Sequence, residues 1–474
     1  MKFSALRATG AVLTACLLTL SVSARSSAEA EHPLPTATWS VYGGDIAHNS
    51  AFVAPAGAAG DALRHGVSWK FAEENALPLD DPLGKDGAAL GPRSAPVKTT
   101  QFLGSAVGVT VVGNVVYGES DSGYVYAIDA VSGHQIWRAH VDNAAMGNPI
   151  VADGRVFVGS GDTGFSFSQV LHAQGGAKTG LVRGLSWAAV YAFDAASGKQ
   201  LWRYGTKGED MSSECYTDGT LYFGNGDGHM YALDPATGKP KWKTMVRGFD
   251  SMSSCNIYHN KVYAGFTDPN DLVAVDTRTG AIAWRTSFPN VANTGMGDNS
   301  PTIDAADNQV IQVAVADAQS TAGKATVNTA VLAVDADTGK INWKVLLGRG
   351  DSPPAYKASV AMVHAGVIYV SSPATSRLSA LDAKTGKTLW TSTIPHPSVP
   401  GLGRGAVTFL DGTLYQSTGS WLYAWDAKTG NLKHDLSIGG RFGICNPVIV
   451  GNTLFVTNSW GWILAQPLSA LAGP

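Results

Sequence analysis

The segment Met230-Tyr-Ala-Leu-Asp234-Pro-Ala-Thr-Gly238-Lys-Pro-Lys-Trp242 carries a pattern that occurs seven times in this chain of 474 residues. Apolar residues alternate before an Asp, a Gly follows four positions after the Asp, and in six of the seven copies a Trp follows after eight. The pattern is typical of a β-hairpin, because the Asp side chain caps the turn and the Gly takes the positive φ angle that the turn needs. The seven Asp residues are Asp129, Asp194, Asp234, Asp276, Asp335, Asp382 and Asp426.

The spacing of the copies gives the size of the repeating unit. Successive Asp residues are 65, 40, 42, 59, 47 and 44 positions apart, so the unit has about 40 residues and two intervals contain insertions. A second pair of short apolar segments with its own tight turn precedes each hairpin, as at residues 149–160. Four strands in about 40 residues is the size of one blade of a β-propeller, and so short a repeat needs neighbours to bury its apolar face.

The number of blades follows from the two ends of the chain. Residues 445–466 repeat the first part of a blade without the Asp-Gly-Trp hairpin, whereas residues 66–71 form a detached strand-like segment that includes Trp69. Pairing the two would close the ring and leave no exposed sheet edge. The sequence therefore predicts an all-β fold, a single eight-bladed β-propeller of four-stranded antiparallel blades, with its ring closed by an N-terminal strand that pairs with the last blade. A seven-bladed ring with a separate C-terminal hairpin is the alternative.

The predicted boundaries are a signal peptide at residues 1–30 and the propeller at residues 31–474. Basic Lys2 and Arg7, the apolar stretch 10–22 and small residues near positions 24 and 30 are typical of a cleaved export signal. We therefore expect a periplasmic or secreted protein that is not inserted in a membrane. Insertions near 162–186 and 317–328 are of the kind that covers a mouth of the ring or builds a subunit contact, and we expect a homodimer.

Three cysteines remain after removal of the signal peptide, namely Cys215, Cys255 and Cys445, and an odd number excludes complete pairing within the chain. The sequence has no CxxC or CxxCH motif, which argues against a structural zinc site and a c-type haem. Small buried thiols are one interpretation of all three. A bridge between Cys215 and Cys255 on neighbouring blades is the other, and the sequence does not distinguish them.

The charge content is low and nearly balanced. Charged residues make up 15% of the chain, against roughly 25% in an average soluble domain. With 34 Lys and Arg against 37 Asp and Glu, there is no basic surplus to suggest nucleic-acid binding. Few basic groups also mean little self-repulsion in strong acid, where carboxylates are neutral. The composition thus fits an acidic environment, although it fits a Gly-rich β protein equally well.

Charged residues occur in the segments that lead into the innermost strand of each predicted blade, here called the rim segments. In a propeller these segments surround the central funnel, a usual place for a ligand. Each charge could be a solvated loop residue, or the basic ones could converge on an anion, since Arg forms two-pronged hydrogen bonds with oxyanions. The acidic half contains Glu209, Asp210, Asp250 and Asp298 with neighbouring Asn299, and the basic half contains Lys357, Arg404 and Arg441.

An Asp beside those cations could act as a general base. Positive charge lowers a carboxyl pKa, so the Asp would stay ionised in acid and could take a proton from water.

The Ala-x-Asp-x-x-Thr-Gly-x-x-x-Trp repeat resembles the pyrroloquinoline-quinone type of propeller, and Trp39-Ser-Val-Tyr-Gly-Gly-Asp45 is similar to the start of quinoprotein dehydrogenases. Three local stretches, at 182–187, 208–212 and 295–301, resemble the tetrathionate hydrolase family. That resemblance implies an exported enzyme of acidophilic sulfur oxidisers without a cofactor, which cleaves tetrathionate to thiosulfate, sulfur and sulfate. It also implies an Asp general base, for which Asp298 is the best match. The residues assigned to substrate binding are then Lys357, Arg404, Arg441, Asn299, Glu209 and Asp210, with no metal ligand.

Two other groups with this repeat remain alternatives. A quinoprotein alcohol dehydrogenase would be expected to carry a vicinal Cys-Cys disulfide and Glu, Asn and Asp ligands for calcium. This chain has no Cys-Cys pair, but its acidic rim could still supply a metal site. The outer-membrane assembly lipoproteins are non-catalytic scaffolds that need no polar funnel. The repeat itself indicates the fold and not the chemistry.

Overall fold

The computed structural model describes residues 39–74, 76, 79, 108–162, 182–184, 187–250, 252–291, 299–321, 324–353, 358–396 and 404–473. The predicted signal peptide and most of the insertion near 162–186 lie outside these residues. Within the described part of the chain, no helix is long and apolar enough to cross a membrane.

The secondary structure of the described residues is almost entirely β. Helices are limited to α1 (Ala58–His65) and a 3-10 turn at Leu468–Leu471. Most strands are short because each crosses a single blade. They are β1 (Ala51–Phe52), β2 (Trp69–Ala72), β3 (Thr110–Val112), β4 (Val115–Ser120), β5 (Tyr124–Asp129), β6 (Gln135–His140), β7 (Ile150–Ala152), β8 (Arg155–Ser160), β9 (Ala189–Asp194), β10 (Gln200–Gly205), β11 (Cys215–Thr217), β12 (Thr220–Gly224), β13 (His229–Leu233), β14 (Pro240–Met245), β15 (Asn256–Tyr258), β16 (Lys261–Phe266), β17 (Asp271–Asp276), β18 (Ile282–Ser287), β19 (Thr302–Asp304), β20 (Gln309–Thr321), β21 (Lys324–Asp335), β22 (Ile341–Asp351), β23 (Met362–His364), β24 (Val367–Ser372), β25 (Arg377–Asp382), β26 (Thr388–Thr393), β27 (Thr408–Leu410), β28 (Thr413–Asp426), β29 (Leu432–Phe442), β30 (Val448–Val450), β31 (Thr453–Asn458) and β32 (Trp462–Pro467).

These strands form the eight blades that the sequence predicts. Blade 1 contains β3 to β6, and blades 2 to 6 take the following strands four at a time up to β26. Blade 7 contains β27 to β29, and its two middle strands run together as β28, with Gly419 at φ +62° at the bend. Blade 8 contains β30 to β32 and is completed by β2, which pairs antiparallel with β32. The N-terminal strand therefore closes the ring, as predicted, and the seven-bladed alternative is wrong.

The repeated Asp, Gly and Trp residues join neighbouring blades as well as forming turns. In blade 3, Asp234 Oδ1 accepts a hydrogen bond from the backbone N of Thr237 at 2.9 Å, and Gly238 has φ +66°. Trp202 of blade 2 lies against this turn, with its Nε1 donating to the Pro235 carbonyl oxygen at 2.9 Å. A Cβ at Gly238 would lie 2.7 Å from the indole ring. The position thus requires Gly both for its φ angle and for the ring that packs on it.

The same contact closes the ring between blades 8 and 1. Trp69 of β2 donates from Nε1 to the Ala130 carbonyl oxygen at 2.9 Å, and a Cβ at Gly133 would lie 2.7 Å from its ring. Blade 8 has no such turn in its sequence, so the outer strand of blade 7 has nothing equivalent to pack against. This explains why the seventh copy of the pattern carries His434 in place of Trp.

Residues 39–52 run along the inner strands, inside the ring, which sequence analysis did not anticipate. Their oxygens accept hydrogen bonds from the middle residues of inner strands, and β1 pairs in parallel with β30. The bonds are Val151 N to Trp39 O (3.1 Å), Tyr216 N to Ser40 O (2.7 Å), Ile303 N to Ile46 O (2.8 Å), Val363 N to Ala47 O (3.0 Å), Phe409 N to Asn49 Oδ1 (2.8 Å) and Ile449 N to Ser50 O (2.8 Å). This segment fills the ring at the level of the inner strands, so the rim segments surround a funnel with a floor.

A disulfide joins two neighbouring blades at their inner strands. Cys215 at the start of β11 is bonded to Cys255, which directly precedes β15, and their Cα atoms are 5.7 Å apart. Cys445 is a free, buried thiol. The interpretation of all three cysteines as thiols is therefore wrong, and the bridge between blades 3 and 4 is confirmed.

Candidate active site

The structure describes five of the seven predicted site residues. All five are buried, with exposed fractions from 0 to 7%, so the interpretation of the four charged ones as solvated loop residues is wrong. Asp298 and Lys357 lie outside the described residues. The five described residues are Glu209, Asp210, Asn299, Arg404 and Arg441.

The acidic side of the rim is larger than predicted. Asp210 and Asp250 are joined by Glu119 at the end of β4 and by Glu214 next to β11, and each is only 1% exposed. Burial raises the pKa of Asp210, and the nearby Glu214 and Asp250 carboxyl groups raise it further. Burial raises the pKa of Glu214 to about 8, and burial together with Glu214 raises that of Glu119. An Asp beside cations was expected to have a lowered pKa, whereas the surroundings of Asp210 raise its pKa. In acid, Asp210, Glu214 and Glu119 therefore keep their protons.

Glu209 differs from the other rim acids because it has a cationic partner. Arg183 Nε lies 3.0 Å from Glu209 Oε1, and both side chains are buried. The Glu209 backbone N also donates to the Arg183 carbonyl oxygen at 2.7 Å, and the Arg183 N donates to the Gly226 carbonyl oxygen at 2.9 Å. The blade 2 insertion therefore ends on the rim of blade 3. The sequence does not single out Arg183 as a site residue, because nothing in the repeat indicates which blade an insertion contacts.

The described basic side of the rim brings two guanidinium groups near each other. Arg404 and Arg441 are 5% and 7% exposed and lie on the rim segments of blades 7 and 8. Burial, together with repulsion from the neighbouring Arg404, lowers the pKa of Arg441 to about 10. Two like charges close together and out of water are unfavourable alone, whereas an anion placed between them is stabilised by both.

Asn299 presents an unpaired amide beside the predicted base. Its carbonyl oxygen on the backbone accepts bonds from Ser253 Oγ and Gln312 Nε2, both at 3.0 Å, which fix its position. Its side-chain Oδ1 and Nδ2 are buried and have no hydrogen-bond partner among the described residues. The amide is therefore available to a bound molecule or to water.

The floor of the funnel is formed by Tyr42 from the N-terminal segment. Its hydroxyl donates to Asn446 Oδ1 at 2.9 Å, and the same oxygen accepts from the Ala406 backbone N at 2.7 Å. Burial raises the pKa of the Tyr42 hydroxyl, which therefore stays a neutral donor, whereas the positive charge of nearby Arg404 acts to lower that pKa. Met146, Met211 and Met252 of neighbouring rim segments belong to the same apolar cluster. Sequence analysis missed this floor because Tyr42 lies far from the repeats in the chain.

Potential metal ligands are not grouped on the described part of the rim. Within the residues that the structure describes, no three His, Cys, Asp or Glu side chains are placed to hold a metal ion together. The buried carboxyl groups are instead spread over the rims of several blades.

Comparisons with known proteins agree with this fold and distinguish relatives that share only the repeat or the fold from relatives that are similar in sequence. A family model described as outer membrane protein assembly factor BamB matches residues 66–178, 172–325 and 302–469. The chain is 39% identical over 431 residues to the tetrathionate hydrolase of Acidithiobacillus ferrooxidans, covering 90% of this chain and 85% of that protein. It is 35% identical over 437 residues to the tetrathionate hydrolase of Acidianus ambivalens, covering 86% and 81%. The solved structure of quinohemoprotein alcohol dehydrogenase from Comamonas testosteroni superposes with a TM-score of 0.58 at 14% identity over 93% of this chain and 81% of that one, a likeness of fold alone.

The eight blades and their Asp-Gly-Trp hairpins define a β-propeller of the pyrroloquinoline-quinone repeat type. Repeat and fold are shared by enzymes and scaffolds, so they leave the activity open. The chain belongs to the tetrathionate hydrolase family, since both relatives of that name match it over most of their length. The resemblance drawn from three short stretches is thereby confirmed, and the protein is an enzyme of that family.

Proposed function

We propose that this protein hydrolyses tetrathionate, or another polythionate, at the rim of the funnel. The observation that carries the proposal is the pair of buried guanidinium groups of Arg404 and Arg441 on adjacent blades. Tetrathionate is a dianion with a sulfonate group at each end, and Arg binds such oxyanions through charged hydrogen bonds. The activity for which both relatives are named, hydrolysis of tetrathionate, supplies the identity of the anion.

We assign the other predicted residues to the same substrate. Lys357 completes the cationic half of the rim, and Asn299 orients the water or a sulfonate oxygen. Asp210 is protonated in acid because burial raises its pKa, so it can donate a hydrogen bond to an oxyanion. Glu209, held by Arg183, borders the substrate on the acidic side.

In the proposed reaction, Asp298 removes a proton from water, and the water oxygen bonds to a sulfur atom as the neighbouring S–S bond breaks. Thiosulfate leaves with the electron pair of that bond. The remaining HO–S–SO3 fragment divides into sulfur and sulfate, so that tetrathionate and one water give thiosulfate, sulfur, sulfate and two protons. The chemistry needs positioning, charge neutralisation and a base, all of which side chains can supply.

Tetrathionate turnover by the purified mature protein, followed as thiosulfate release near pH 3–4, tests this function. Asp298→Asn should lower kcat by about 10²–10⁴-fold with the melting temperature unchanged, because the amide keeps the shape and loses the basicity. Asp218→Asn, in an exposed turn, is the matched control and should keep full activity. Each Ala replacement of Lys357, Arg404 or Arg441 should mainly raise KM, by about ten- to a hundredfold.

Three results would contradict parts of this proposal. Full turnover in a folded Asp298→Asn variant would transfer the base to another rim acid such as Asp250. If the wild type releases no thiosulfate but quinone and calcium restore alcohol-dependent dye reduction, the protein is a dehydrogenase. Inactivity in both assays would indicate a scaffold.

We also propose that the protein acts outside the cytoplasm, in acid, as a homodimer. The signal-like residues 1–30 and the low content of charged residues support export and acid tolerance. The mass of the exported chain and its light-scattering mass in solution test the cleavage and the dimer.

A further inference from the structure

The rim of blade 8 holds an unusual group of buried hydrogen-bond donors. Five residues have side-chain polar atoms that are shielded from water and have no hydrogen-bond partner among the described residues. All five are at most 7% exposed. The atoms are Arg441 Nε and Nη1, Asn446 Nδ2, Asn458 Nδ2, Ser459 Oγ and Trp460 Nε1.

Contacts place the residues that carry these donors on the same part of the blade 8 rim, here called the corner. Arg441 and Asn446 belong to the rim segment of blade 8, and the turn after β31 lies against it, because the Ser459 backbone N donates to the Arg441 carbonyl oxygen at 2.8 Å. Asn458 is adjacent, since a Cβ at Gly440 would lie 2.4 Å from its Nδ2.

The two amides are held so that only their NH2 groups remain unpaired. Asn446 Oδ1 accepts from the Tyr42 hydroxyl and from the Ala406 backbone N, and Asn458 Oδ1 accepts from the Trp460 backbone N at 3.0 Å. These bonds fix which end of each amide faces the corner. The orientation thus follows from the hydrogen-bond network and leaves donors, not acceptors, for a ligand.

We propose that this corner is a binding site for one tetrahedral oxyanion, the sulfonate end of the substrate, with Arg441, Asn446, Asn458 and Ser459 as its donors. The inference rests on the proposed function for the identity of the anion and adds three specificity-determining residues to it. Sulfate, which has the same tetrahedral SO3 face, is the corresponding inorganic probe.

An oxyanion fits this corner better than trapped water does. A buried water accepts hydrogen bonds but must also donate its own, typically making about three bonds in total. The oxygens of a sulfonate only accept, and each can take bonds from several donors. The guanidinium of Arg441 supplies the opposite charge, and Arg404 on the next blade is close enough to act on its pKa. A corner made of donors therefore selects an anion.

The site also gives the substrate a direction. The acidic part of the rim, on blades 1 and 3, differs from this corner because its unpaired atoms within the described residues are carboxyl oxygens, namely Glu119 Oε2, Glu214 Oε1 and both oxygens of Asp210. With one sulfonate held on blade 8, the chain of sulfur atoms points away from it across the funnel.

Calorimetric titration with sodium sulfate tests the site independently of turnover. At pH 6, Asn458→Asp and Asn446→Asp should each weaken sulfate binding at least about tenfold, because a carboxyl oxygen replaces the NH2 donor. Both keep the acceptor oxygen that the fold uses and replace only the unpaired NH2 group. Asn452→Asp is the matched control, since it makes the same change in an exposed turn of the same blade and should bind sulfate like the wild type. Ser459→Ala removes a single hydroxyl donor, so it still tests the site if an Asp variant does not fold.

The outcomes separate this inference from the proposed function. If the wild type does not bind sulfate, or if the Asp and Ala variants bind it as Asn452→Asp does, the donors hold only water and the site is refuted. Tetrathionate hydrolysis without such sulfate binding would leave the proposed function intact and overturn this inference. Sulfate binding that Asn458→Asp abolishes, in a protein that does not hydrolyse tetrathionate, would do the reverse.

Discussion

Replacing Glu214 by Gln should make the free energy of unfolding less sensitive to rising pH. Burial raises the pKa of this carboxyl from its ordinary 4.5 to about 8. Since the folded-state value is the higher one, the stabilising effect of the bound proton is fully present below pH 4.5 and is lost as the pH rises through 8. A difference of that size corresponds to an upper limit on the order of 5 kcal/mol in the free energy of unfolding. Gln keeps the shape of the protonated side chain and cannot ionise.

The assay is guanidinium-induced unfolding of both proteins at pH 4 and pH 8. The wild type should lose more stability than Glu214→Gln between these two values, by up to the same order of 5 kcal/mol. Glu74→Gln is the control, because Glu74 is half-exposed and paired with Arg138 at 2.7 Å, an arrangement worth about 0–1 kcal/mol. If the losses of wild type and Glu214→Gln are equal, Glu214 is ionised in the folded protein and the reasoning from burial is refuted.

Two further predictions concern the inner face of the ring. Burial lowers the pKa of His48 to about 4, so the stabilising effect of its neutral form is present above pH 6.5 and is lost as the pH falls through 4. Between pH 6.5 and 4 the His48→Gln variant should therefore lose less free energy of unfolding than the wild type, by at most about 3 kcal/mol. Equal losses in the two proteins would refute this prediction. The Cys215–Cys255 bridge should stabilise the fold by about 2–4 kcal/mol relative to a double Ser variant in unfolding titrations, and the denatured mature protein should show one reactive thiol before reduction and three after it. Three thiols without reductant would mean that the bridge is absent.

The architecture was predictable because its determinants are local and repeated. An Asp that caps a turn and a Gly at positive φ specify a hairpin within a few residues, and seven copies specify a ring of blades. The closing strand was also predictable from the sequence, because it carries a Trp like the outer strands of other blades. Trp69 contacts the turn of the next blade in the same way as Trp202 does. The course of residues 39–52 was not predictable, because their hydrogen bonds go to inner strands that are distant in sequence and follow no repeat.

The candidate site was predictable only where the rim segments carry charge themselves. Arg404 and Arg441 were found because they occupy equivalent positions in successive blades. Glu214 was missed because an acidic residue next to a strand is usually solvated, and only the packing of several blades removes it from water. Arg183 and Asn458 were missed for a related reason, since the residues that they approach come from other segments of the chain.

Stability and ligand binding at this rim depend on the same protons. In acid, Asp210, Glu214 and Glu119 are neutral while Arg404 and Arg441 keep their charges, so these five residues together carry positive charge. Raising the pH ionises the buried acids, which destabilises the fold and at the same time places negative charge on the same rim as the proposed anion site. We therefore expect the affinity for a sulfonate to fall over the same pH range in which the fold loses stability. The rim therefore supports the proposed working environment of low pH, because ionised acids at neutral pH would oppose both the folding and the binding of the anion.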